Sequence, residues 1–166
     1  MKLDATYRQS GSTMPEIMVA ALLLAVFFAS IFELNAVCLR YIDASKESVA
    51  ALQQIQDRSE ALRNLAFTDL TNISYLQSLL ASPANASDFV RKSTEVVKIS
   101  AYPTANGVTQ LTRLPSGTVT TDSTASDLGA TLVQVDVAAS WTMTLGRRAR
   151  SEQVTSIISN LSLIHI

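Results

Sequence analysis

Sixteen consecutive residues, Ile17 to Phe32 (IMVAALLLAVFFASIF), carry no charge. A helix over this run is about 24 Å long at roughly 1.5 Å per residue. Met14, Pro15 and the Leu34–Leu39 shoulder extend it toward the roughly 30 Å of a bilayer core. A cleaved secretory signal would begin with a short basic region and close on small residues. Here the preceding segment, Met1 to Gly11, is polar, no small-x-small site closes the run, and the helical pattern continues without a turn signal. The run therefore predicts a retained transmembrane helix. The whole chain of 166 residues, 48% hydrophobic, has material for one domain with a modest core. Its formal charge of −1, from 13 basic and 14 acidic residues, argues against a nucleic-acid partner, which needs a concentrated positive field. One cysteine excludes an intramolecular disulfide and a cysteine-cluster metal site, and the single histidine, His165, lies next to the last residue.

Glu16 sits at the N-terminal edge of the apolar run. A carboxylate in lipid costs about 2.5–3.5 kcal/mol on insertion scales. An interfacial position or the positive end of the helix dipole would lower that cost, and so would a cationic partner in the membrane plane. Pro15 is harmless there, because a first-turn proline gives up an amide that has no helical partner.

The segment Gly11-Ser-Thr-Met-Pro-Glu-Ile-Met-Val-Ala20, followed by the apolar run, resembles the class III signal of type IV pilins and type II secretion pseudopilins. The resemblance covers about thirty residues and combines glycine, threonine, glutamate and apolar run in the family's order. It implies a cytoplasmic leader, residues 1–11, cut after Gly11 by a membrane-embedded prepilin peptidase that then methylates the new N-terminus at Ser12. It also implies that Glu16 guides assembly with other pilin or pseudopilin subunits at an inner-membrane platform. Ser12 replaces the family's usual large apolar residue, Met14 stands where leucine is commoner, and Glu33 occupies a place where many members carry proline. The paired C-terminal cysteines of many pilins are absent, which tilts the resemblance toward a pseudopilin or minor pilin.

Beyond Phe32 the helical pattern persists. Val37, Tyr41, Ser45, Val49, Leu52, Ile55, Ser59, Leu62 and Ala66 recur at three- and four-residue steps, and no glycine or proline interrupts residues 16 to 82. The spacing predicts one helix from about Met14 to Phe67, hydrophobic all round at first and amphipathic later, with Cys38 a buried small apolar residue. A short second helix is expected over Asp69–Leu80 and a loop over Ser82–Asp88. Strands are expected at 94–102 and 108–114, around a Pro103–Gly107 turn. Gly117–Thr131 reads as an exposed loop in which Asp122 and Asp127 are weak calcium candidates, without a defined ligand spacing. The clearest strand is Leu132–Leu145, with Val133, Val135, Val137, Ala139, Trp141, Met143 and Leu145 on one face. A last strand follows at about Arg150–Ile158, after an arginine-bearing tip at Arg147, Arg148 and Arg150 that reads as solvated.

The final residues, Leu161-Ser-Leu-Ile-His-Ile166, match the translation of a transposase mosaic end used as a sequencing adapter, and we set them apart from the fold as read-through. The organisation expected is a leader (1–11), a transmembrane half-helix (12–39), a periplasmic globular part that includes the amphipathic half of the helix (40–160), and this tail (161–166). The fold class expected is α+β: a long N-terminal helix packed on a small C-terminal antiparallel sheet, as in pilins. The function implied by the resemblance is structural: a minor pseudopilin of a type II secretion filament, anchored once in the bacterial inner membrane with its N-terminus cytoplasmic. A minor type IV pilin serving adhesion, motility or DNA uptake is the alternative within that class. A signal-anchored periplasmic binding domain is the alternative outside it. No glycine-rich phosphate loop or metal-ligand cluster is present in the sequence, and we expect neither a cofactor nor an enzymatic activity.

Overall fold

A computed structural model describes residues 13–129 and 131–160. The chain divides into two units, Met1–Tyr41 and Ile42–Ile166. Helix α1 (Met14–Arg63) contributes to both, and the second unit adds α2 (Phe67–Leu70), α3 (Ile73–Ala81), a 3-10 turn (Asp88–Arg91) and five strands. The strands are β1 (Thr94–Ala101), β2 (Val108–Arg113), β3 (Val119–Ser123), β4 (Leu132–Thr142) and β5 (Ala149–Ser159).

In the first unit, α1 is apolar on every side and uncovered: Met14 is 78% exposed and Phe32 71%. The helix contains a window of mean hydropathy 2.5, long and apolar enough to cross a membrane by length and composition. Within the uncharged run Ile17–Phe32 the one hydroxyl, Ser30, donates back to the Val26 carbonyl at 2.9 Å, so no side-chain donor in that run asks for water. Cys38 is exposed, contrary to the expectation of burial, because the element around it has no covering layer within its own unit.

The second unit is a five-stranded antiparallel sheet in the order β3-β2-β1-β4-β5. Alternation decides its faces: Val97 and Ile99 of β1, Leu111 of β2, and Val133, Val135, Val137 and Ala139 of β4 all point inward. They meet Ile55 and Leu62 of α1, together with Leu70, Leu76 and Leu80 of the short helices. A smaller cluster joins Ala51 to Phe89 and Trp141, whose rings meet edge to face at 5.3 Å. Trp141 is thus a core anchor, as its place in the alternation predicts.

Several expectations need correction. The buried face of α1 is set by Ala44, Ala51, Gln54, Ile55, Arg58, Ser59 and Leu62, whereas Val49 and Leu52 of the predicted stripe are exposed. Polar Gln54 and Arg58 lie inward because their partners are distant in sequence, Ser93 just before β1, Glu95 on it, and the Leu79 and Ser82 carbonyls, and apolar periodicity cannot register that. The helix ends at Arg63, not Phe67, and the expected second helix is split between α2 and α3. The split falls at Asn72, whose Oδ1 accepts from the Ser74 and Tyr75 amides at 3.0 and 3.3 Å and so begins a new helix. The expected loop at 117–131 contains β3, which is polar and exposed but pairs with β2 along its length. The expected strand at 132–145 ends at Thr142, leaving Met143 and Leu145 outside it.

Candidate assembly site at the start of the apolar helix

Gly11 and Ser12, the expected cleavage positions, lie outside the described residues. Glu16 is in the first turn of α1. The Thr13 carbonyl accepts from the amides of Glu16 and Ile17 at 2.9 and 3.2 Å, which starts the helix. The Glu16 carboxylate reaches back in turn, and its Oε2 accepts from the Thr13 amide at 3.4 Å. Thr13-Met-Pro-Glu16 therefore forms half of a capping box, a signal present in the sequence as T-x-x-E and absent from the reading above. This single long bond leaves most of the carboxylate's acceptor capacity open, and no described lysine or arginine pairs with it. The geometry is that of an anion at the positive end of a helix dipole, with an uncovered apolar helix running away from it.

The calcium candidates are not assembled into a site. Asp122 accepts from Thr112 Oγ1 at 2.5 Å, Gln110 Nε2 at 2.8 Å and Thr120 Oγ1 at 3.1 Å. These bonds, the Thr112 hydroxyl first and the Gln110 amide next, favour the ionised form and hold the carboxyl below its usual value against the opposing effect of desolvation. Asp127 accepts from the Gly129 amide at 2.7 Å in a local turn. Both acids serve their own chain, and among the described residues no group of three or more His, Cys, Asp or Glu side chains converges. Arg147, Arg148 and Arg150 are exposed at the β4–β5 turn.

A polar cluster that the sequence did not announce lies inside the second unit. Arg58 of α1 donates to Glu95 of β1 through Nε at 2.6 Å and Nη2 at 3.3 Å, and to the Leu79 and Ser82 carbonyls at 3.0 and 2.8 Å. The side chains of the pair are 3% and 0% exposed. Ser93 donates to Gln54 Oε1 at 2.9 Å beside them. Together these bonds fasten α1 to the first strand, fixing the helix's rotation in a way apolar packing alone would not. The chain matches no protein-family model, no curated protein and no solved structure, so its reading rests on its own residues.

Proposed function

We propose that this chain is a structural subunit of a pilin-like filament, a minor pseudopilin of a type II secretion-type system matured by prepilin peptidase after Gly11. The observation that supports it most is Glu16: a carboxylate at the head of an uncovered apolar helix, held by its own chain through one long bond. Cleavage after Gly11 would free a cationic α-amine at Ser12, four residues from that carboxylate and within reach of a neighbouring subunit's Glu16. Two opposite unit charges 4 Å apart attract by about 4 kcal/mol at an effective dielectric of 20. That matches or exceeds the roughly 2.5–3.5 kcal/mol of placing the acid in lipid. The pairing would also select the axial offset between subunits, since only one offset brings amine to acid. In this reading the first unit lies in the inner membrane and then in the filament, the globular unit is periplasmic, and the partners are the peptidase, other subunits and the assembly platform.

The test is the intact mass of membrane-extracted protein coexpressed with and without a prepilin peptidase. Loss of residues 1–11, with or without a methyl group on Ser12, is expected only with the peptidase, and Gly11→Leu should abolish it. A full-length product under both conditions overturns the proposal and leaves a signal-anchored binding domain. Incorporation into a type IV pilus rather than a secretion filament would move the chain to the neighbouring system.

A further inference from the structure

Arg113 is a buried charge that the fold leaves unpaired. It lies on β2, where the register sets it opposite Glu95 of β1, and it is 5% exposed. Both carboxylate oxygens of Glu95 accept from Arg58, and neither accepts from Arg113. Arg113 forms no ion pair among the described residues. Its one hydrogen bond runs from Nη1 to the Val90 carbonyl at 3.4 Å, and its Nε–H is buried without an acceptor. Two guanidiniums and one carboxylate leave a net positive charge in the interior. Burying such a charge without an anion is among the costliest things a fold can do.

Arg113 also lines a cavity of about 420 Å³, together with Asn85, Ser87, Asp88, Val90 and Arg91. Arg91 is exposed, and Ser87, whose oxygen accepts from the Phe89 amide, keeps its hydroxyl hydrogen for donation. Asp88 offsets one of the two arginines, so the lining retains one positive charge. Arginine's planar fork of N–H donors suits carboxylate and phosphate groups better than water or a single carbonyl. The arginines of the β4–β5 turn are a useful contrast, because they are exposed and hydrated and need no anion.

We propose that this cavity is an oxyanion site. It holds a carboxylate or phosphate group, supplied by a free small anion or by an acidic side chain of a partner, with Arg113 as the buried anchor and Arg91 as the outer cation. The inference rests on the second unit alone and is independent of the events proposed at Gly11 and Glu16.

The experiment uses the full chain in detergent micelles with ¹⁵N-arginine, following the Nε–Hε resonances at constant ionic strength against chloride. Sodium phosphate, sodium acetate and the tripeptide acetyl-Gly-Asp-Gly-amide are titrated separately. The Arg113 resonance, assigned by its loss in Arg113→Gln, or in Arg113→Lys should the first variant not fold, is expected to shift saturably with at least one probe. Arg91→Gln should weaken that binding by about fivefold, the effect of one exposed charge contact. Saturation by phosphate or acetate identifies a free anion as the source, and saturation by the tripeptide alone identifies an acidic side chain. Absence of a saturable shift with all three probes overturns the proposal, as does unchanged affinity in Arg91→Gln.

Discussion

Glu95→Gln should destabilise the globular unit more than Arg58→Met, although counting hydrogen bonds gives the opposite order. Arg58 makes four bonds, two to Glu95 and one each to the Leu79 and Ser82 carbonyls, and its replacement removes all of them. Charge decides otherwise. With Arg58, Arg113 and Glu95 all ionised, the interior carries +1. Arg58→Met brings it to 0, because Arg113 stands opposite Glu95 across the β1–β2 ladder and can take its place. Glu95→Gln raises it to +2, with two guanidiniums and no anion. Leaving a buried ion without its partner costs about 3–5 kcal/mol, which we assign to Glu95→Gln. Arg58→Met loses charge-assisted bonds but keeps a cation for the carboxylate, and should cost about 1–3 kcal/mol. The assay is urea unfolding of the full chain in detergent, read by the fluorescence of Trp141, the single tryptophan and a buried one. With a slope of roughly 2 kcal/mol per molar, the midpoint should fall by about 1.5–2.5 M for Glu95→Gln and by about 0.5–1.5 M for Arg58→Met. A larger fall for Arg58→Met would refute the charge argument and leave hydrogen-bond number as the governing quantity.

At Glu16, glutamine keeps an acceptor for the Thr13 amide but loses the charge, whereas alanine loses both. Glu16→Gln should therefore be inserted and cleaved normally yet enter filaments poorly, and cross-linking yields equal to wild type would remove the proposed charge role. Glu16→Ala should also fray the first turn, at about 1 kcal/mol of local stability, visible as faster amide exchange at Glu16 and Ile17. At Asp122 the three side-chain donors hold the folded carboxyl below its ordinary value of 3.8. Its stabilising effect is thus fully present above that value and is lost as pH falls through the lower folded one. The difference in urea midpoint between wild type and Asp122→Asn should be full at about pH 6 and shrink progressively as the pH is taken below 3.8. A gap of constant size across that range would show that the acid's charge plays no part.

What could be read from the sequence follows from what apolar periodicity records. It placed β1, β4 and β5 and the inward set from Val133 to Trp141 because those side chains alternate between core and surroundings. It found the apolar half of α1 because a run without charge has few alternatives. It misjudged the rotation of the second half, since the inward face carries Gln54 and Arg58, whose burial depends on Ser93 and Glu95 some forty residues later. No local signal carries such a long-range pairing. The strand β3 was hidden for the converse reason: Val119-Thr-Thr-Asp-Ser123 joins the sheet through its backbone while its side chains remain largely outside. Its β-branched residues were the available cue. The place of Glu16 at the head of α1 was legible because the edge of the apolar run is a local feature, whereas its cap with Thr13 went unread although T-x-x-E was the available cue. Arg113 was not legible, because nothing in Leu-Thr-Arg-Leu distinguishes an inward arginine from an outward one.

The strand order β3-β2-β1-β4-β5 also bears on how the unit can be built when its chain is delivered from one end. β2 pairs with β1, β3 with β2, β4 with β1 and β5 with β4, so each strand meets a partner that precedes it in the chain. No strand has to wait for a later one to occupy the gap beside it. Growth proceeds outward from β1, first on one flank and then on the other. The contacts that close the core, from Val133 to Ala139, arrive before the final strand does. A chain threaded N-terminus first can therefore complete this sheet in order of emergence, with the free edges rather than a missing centre exposed at every stage.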